Sequence, residues 1–269
     1  MFALVIAAGL ATTPTPVAIA PAVPVDEIER AIAMRRFDQA RLMIGAAVRG
    51  GATGQSIERP LASLAFAAGR DEEALARTTA LLMSLPDDVK LLEQATIAAL
   101  RLGKADEAAA LAVRATRVPG ASWRAWNALG VAADRAGDWA AADKAYAAAE
   151  MLAPGRAEIA NNRGWSLLLR GEWQQARAVL AQAAALAPGV GRATNNLDLA
   201  EMGLAGELPV RRSGESSADY AARLNDAGVA ARMRGEPGRA RAAFAQAIEA
   251  SATWYVRAGH NLAAVEGTE

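Results

Sequence analysis

Small and apolar side chains return along this chain at one fixed interval. Gly69, Gly103, Gly137 and Gly171 stand 34 residues apart, and Ala40, Ala74, Ala108, Ala142 and Ala176 keep the same interval. Pro86, Pro119, Pro154 and Pro188 hold it to within a residue, and Phe37, Trp139 and Trp173 share the frame. Several residue types in register over five units exclude coincidence. A period of this length is the mark of stacked supersecondary units, each too small to bury its apolar face alone.

The unit WRAWNALGVAADRAGDWAAADKAYAAAEMLAPGR, residues 123–156, predicts two helices. Gly137 ends the first, because glycine accepts the left-handed conformation at a helix C-terminus. Asp138 is placed to cap the second. Gly130 and Ala142 have minimal side chains, so the two helices can approach closely there. Trp126, Leu129 and Tyr146 fill the remaining space, and Pro154 stops the second helix.

Cutting on this frame gives repeats at 21–54, 55–88, 89–122, 123–156 and 157–190, with the start of a sixth at 191. The pattern breaks at 203–217, GLAGELPVRRSGESS, where Gly, Pro and Ser predict a loop more mobile than its flanks. It resumes with Leu224, Gly228, Gly235, Ala240, Phe244 and Ala247, and the final WYVRAGHNLAAVE aligns as one more first helix. The division expected is therefore an array over 23–202, a loop interruption, and a seventh repeat with a capping helix over 218–269.

Trp126, Leu129, Gly130, Ala142, Tyr146, Ala149 and Pro154 follow the pattern W-x2-L-G, A-x3-F/Y-x2-A, P. On these residues, and over roughly 25–267, the chain resembles the tetratricopeptide-repeat family. The resemblance implies an all-α fold: a right-handed superhelix of about six to seven helix-turn-helix repeats with a C-terminal capping helix. It also implies a concave groove lined by positions 2, 5, 9, 12 and 13 of the first helices. In the fourth repeat these include Arg124, Asn127, Asp134 and Arg135; in the fifth, Glu158, Asn161, Trp165, Leu168 and Leu169; in the sixth, Arg192 and Asn195.

Two features of that groove carry chemistry. Position 5 is Asn at 127, 161, 195 and 225. A carboxamide donates and accepts, so such a ladder suits either the backbone of an extended peptide or the stapling of neighbouring helices. Trp165, with Leu168 and Leu169, offers an apolar patch of the kind that anchors partners. Some family members clamp C-terminal carboxylates with Lys and Asn. Asn162, Arg192 and Asn196 match that clamp, but Asn127 and Val131 stand where it needs Lys and Asn, so tail binding of that kind is not expected.

Composition narrows the function. Lys plus Arg and Asp plus Glu both total 29 in 269 residues, and the densest basic pairs are Arg35-Arg36 and Arg211-Arg212, so no nucleic-acid partner is expected. The absence of Cys rules out thiolate catalysis, disulfides and zinc–thiolate sites in this sequence. His260, the one histidine, lies in the terminal segment, where a surface role explains it. The glycines read as helix terminators rather than a phosphate loop, and Glu72-Glu73 as first-turn charges beside Gly69. No enzyme activity, cofactor or metal is expected.

Met1–Ala11 is an unbroken apolar run, too short to span a bilayer, which needs about 20 residues. Small residues and prolines follow, with Ala18-Ile19-Ala20 resembling a cleavage site. The expectation is a signal peptide over 1–22, a mature chain without a membrane span, and a periplasmic or exported scaffold in a bacterial envelope, pilus or secretion assembly. Against it, no Lys or Arg precedes the run; the alternative is a cytoplasmic adaptor or the accessory subunit of an enzyme complex. In either case the partner expected is a protein or peptide.

Overall fold

The computed structural model describes residues 23–188, 191–251 and 255–267; the leader expected over 1–22 lies outside them. Within the described residues there are fourteen α-helices and no strand. The described residues form two compact units, divided between Arg77 and Thr78.

The first unit holds α1 (Val25–Ala33), α2 (Phe37–Arg49), α3 (Gln55–Ala67) and the start of α4 (Asp71–Leu82). Ile28, Ala31 and Ile32 on α1 meet Ala40 and Ile44 on α2 and Ile57 and Leu64 on α3 in one core cluster. Arg77 donates to Glu58 on α3 at 2.7 Å and to Glu73 on its own helix at 2.8 Å. The turn between α1 and α2 departs from the frame. Arg35 occupies the place that Gly69, Gly103, Gly137 and Gly171 hold in later repeats, and takes the same positive φ, 57°.

The second unit continues with α5 (Val89–Arg101), α6 (Ala105–Arg117), α7 (Trp123–Ala136), α8 (Trp139–Leu152), α9 (Ala157–Leu169) and α10 (Trp173–Leu186). After them come α11 (Gly191–Ala205), α12 (Ser217–Met233), α13 (Pro237–Ala250) and α14 (Val256–Glu266). Hairpins pair α5 with α6, α7 with α8, α9 with α10, and α12 with α13; each second helix also packs on the first helix that follows, and α14 covers α13.

Local sequence explains the hairpins. Asp88, Ser122, Asp138 and Ser216 cap α5, α7, α8 and α12 through their side-chain oxygens. Inside three of these pairs, α7–α8, α9–α10 and α12–α13, a glycine on the first helix faces a large side chain on the second. A Cβ at Gly130 would lie 2.6 Å from the Tyr146 ring, one at Gly164 2.5 Å from Leu180, and one at Gly228 2.5 Å from Phe244. Only glycine lets those rings and branches lie against the opposing backbone.

The sixth unit differs from the expectation in its bounds. Helix α11 continues through Gly203–Ala205, and α12 already begins at Ser217, so the irregular segment is 206–216. No second helix follows α11; α12 packs on it directly. Arginines hold the connection. Arg223 grips Glu215 with two hydrogen bonds of 2.6 and 2.9 Å and reaches the Val210 carbonyl at 2.8 Å; Arg239 donates to the Glu207 carbonyl at 2.9 Å. Gly and Pro break the helix there, as the sequence implies, but the segment is tethered along its length.

Candidate functional site

The first helices α5, α7, α9 and α11 are successive neighbours. Their facing positions divide into two groups, one spent on joining helices and one left open.

The asparagines belong to the first group. Asn162 donates to Asn127 at 3.1 Å, Asn161 donates to Asn162 at 3.3 Å, and Asn196 donates to Asn161 at 2.9 Å. A continuous chain of amides thus runs from α7 through α9 to α11. Asn261 on α14 repeats the device with Asn225 on α12, at 2.9 Å. Position 5 of one helix accepts from an amide on the next, so stapling is what these side chains do. Asn161 is only 7% exposed. Asn195, expected to be its equivalent, is exposed and stands outside the chain of bonds. The ladder of four position-5 amides is therefore corrected to a ladder of alternating partners.

Asp134, expected to face the groove, is 7% exposed, and both its oxygens are occupied within the fold. Tyr146 on α8 donates to one and Ser166 on α9 to the other, each at 2.6 Å. One carboxylate thereby joins three helices. Burial pushes its pKa up, while the two hydroxyl donors and Arg170 pull it down. Burial and the Asp134 charge raise the Tyr146 phenol well above its ordinary value. Arg170 donates to Asp143 on α8 through its two terminal guanidinium nitrogens, at 2.9 and 2.8 Å, which holds the Asp143 carboxyl below the usual range. Leu168, expected in the patch with Trp165, is 1% exposed and belongs to the core between α9, α10 and α11.

What remains open is a pocket between α7 and α9. Val131, Asp134, Arg135, Tyr146, Asn162, Trp165 and Leu169 line it, and its volume is about 190 Å³. Positions 9, 12 and 13 of one first helix and 6, 9 and 13 of the next thus meet around a single hollow. Trp165 forms one wall and also packs against the core cluster that includes Leu168, Leu199 and Ala230. Leu169 is 42% exposed at the rim, and Arg135 is exposed beside it. Arg124 and Glu158 are exposed on the same helices; Arg124 stacks over Trp123 at 4.5 Å. Arg192 is exposed on α11.

These repeats match solved structures. A chain in the crystal structure of the APC/C hetero-tetramer Cut9–Hcn1 matches 91% of this chain at 13% identity with a TM-score of 0.53. This chain spans 42% of that one's length. A tetratricopeptide repeat protein from Parabacteroides merdae matches 90% of this chain over 97% of its own, at 13% identity and a TM-score of 0.57. The fold is that of a tetratricopeptide-repeat protein. No protein-family model and no curated protein matches the sequence.

Of the residues expected along the groove, Asp134, Arg135, Asn162, Trp165 and Leu169 line this pocket, together with Val131 and Tyr146. The hydroxyls of Tyr146 on α8 and Ser166 on α9 are buried and find their partner in Asp134, as a buried hydroxyl requires. Among the described residues no group of three His, Cys, Asp or Glu side chains could hold a metal ion, and no helix is long and apolar enough to cross a membrane. His260 is exposed on α14.

Proposed function

We propose that this chain is a non-enzymatic protein-interaction scaffold that holds a segment of a partner in the groove between α7 and α9. The observation that carries the reading is the placement of Arg135 and Leu169. Both are exposed around a formed hollow, and neither is needed to close its repeat: Gly130 and Tyr146 do so for the first, Gly164 and Leu180 for the second. The hollow is smaller than the about 300–1,000 Å³ of small-molecule sites, so it suits one side chain of a larger partner. A protein of the same fold occurs in a hetero-tetramer, Cut9–Hcn1, which supports the scaffold reading by analogy of fold.

The setting proposed is a bacterial envelope, pilus or secretion assembly, reached by export. Its support is sequence alone, the apolar run Met1–Ala11 followed by prolines and small residues. Intact-mass analysis of protein from its native host tests this; a cytosolic species retaining Met1–Ala20 overturns export.

Photo-crosslinking tests the groove. A benzophenone amino acid replaces Leu169 in one variant and the exposed Arg177, on the second helix α10, in another. Adducts formed from Leu169 in the native host, and not from Arg177, are expected. Adducts from Arg177 alone, or from neither, overturn the groove reading.

A further inference from the structure

We infer that the segment held at this pocket is acidic: an apolar side chain entering the hollow, flanked by Asp or Glu. The inference rests on the groove reading above and deepens it.

The hollow fixes the apolar part. Val131, Trp165 and Leu169 supply its walls and rim. The polar floor is already satisfied, because Tyr146 and Ser166 occupy both oxygens of Asp134. An entering apolar side chain therefore displaces none of the floor's hydrogen bonds. An apolar side chain loses nothing there and gains the dispersion contacts of an aromatic wall.

The rim fixes the charge. Arg135 is exposed at the mouth and makes no hydrogen bond or ion pair among the described residues. Its neighbours along the groove continue the sign. Positions 2 and 13 of α5, α7, α9 and α11 carry five exposed cations, Lys90, Arg101, Arg124, Arg135 and Arg192, against one exposed acid, Glu158. The whole chain is neutral, with 29 basic and 29 acidic residues, so this is a local field and not a reflection of net charge. Glu93 on α5 is half-buried and bonded to Ser122, Asp134 on α7 is buried, and the half-buried Asp198 and Asp226 lie farther along, on α11 and α12. A planar guanidinium beside an apolar slot favours a carboxylate, which it can meet with paired hydrogen bonds. Lysine at the same place would be repelled.

Three labelled peptides in a Gly/Ser background test the inference on the full chain by fluorescence anisotropy. One has a central Phe flanked by Glu, the second has Lys in place of Glu, and the third keeps Glu but has Ala for Phe. The Glu–Phe–Glu probe is expected to bind about tenfold or more tighter than either other probe at low salt, and to weaken as salt rises. Arg135→Glu should invert the order of the first two, while Arg177→Glu on α10 should leave it unchanged. Equal binding of the Glu and Lys probes, or no binding of the Glu–Phe–Glu probe, overturns the inference. In either case the Leu169 crosslink reports separately on the groove: if adducts still form there, the groove reading stands and only the acidic partner falls.

Discussion

The Tyr146 hydroxyl donates to the Asp134 carboxylate at 2.6 Å across the α7–α8 hairpin, in a site where both side chains are buried. Tyr146→Phe keeps the ring against Gly130 but leaves one oxygen of a buried carboxylate without its donor. The expected loss is about 1–3 kcal/mol of stability, the cost of an unmet buried polar group. Thermal or urea denaturation measures it. An unchanged midpoint would mean that water replaces the hydroxyl freely.

Asn161→Ala and Asn195→Ala should separate sharply. Asn161 accepts from Asn196 and donates to Asn162, and its loss strands both, so about 1–2 kcal/mol is expected. Asn195 is exposed, and its replacement should stay within about 0.5 kcal/mol. Equal effects in melting experiments would contradict the alternation of partners.

The contrast between these two asparagines shows how far the sequence could be read. The 34-residue frame determined the hairpins, because Gly137, Asp138, Gly130 and Ala142 each act locally or at one contact within a repeat. Position 13 at Arg135 and Leu169 followed from the same frame. Which amide meets which neighbour depends on the rotation between successive repeats, which no single repeat encodes. The same holds for Asp134: its type suits a groove as well as a buried junction, and only Ser166 on the next helix decides. Leu168 and Leu169 are adjacent and identical in chemistry, yet helix phase buries one and exposes the other.

Arg35→Gly should stabilise the first unit. A non-glycine residue at positive φ costs about 1–2 kcal/mol, and glycine's extra freedom in the unfolded chain returns part of that. The lost stacking of Arg35 over Phe37, at 5.6 Å, takes a further share. The net expectation is a gain of about 0.5 kcal/mol. A lower melting temperature would mean that the stacking outweighs the backbone strain.

Glu215 should make the α11–α12 connection acid-sensitive. Hydrogen bonds from Arg223 and from the Arg212 amide hold its carboxyl at about 2, below the ordinary carboxylate range. A group with a lowered folded pKa binds fewer protons folded than unfolded. Its contribution is therefore complete above an unfolded value of about 4.3 and is lost as pH falls towards about 2. Melting curves of the native chain and of Glu215→Gln should differ at pH 6 and converge as the pH is lowered through that window. A difference independent of pH would show that the tether acts through shape rather than charge.

Trp165 and Leu169 share the pocket but not the core, and that difference separates binding from folding. Trp165 is partly buried, packing against the cluster of Leu168, Leu199 and Ala230 and also lining the hollow. Trp165→Ala should therefore do two things at once. It should cost about 1–3 kcal/mol of stability, less than the 3–5 of a fully buried aromatic, and it should weaken the Glu–Phe–Glu probe. Leu169, at the rim and 42% exposed, has no such double duty. Leu169→Asp should leave the melting temperature within the range of an ordinary surface change, about 0.5 kcal/mol, yet weaken the same probe by placing a like charge beside its carboxylates. Titration and thermal melts on both variants resolve the matter. If Leu169→Asp binds as the native chain does while Trp165→Ala binds poorly and melts early, the tryptophan acts through folding alone, and the pocket does not hold the partner.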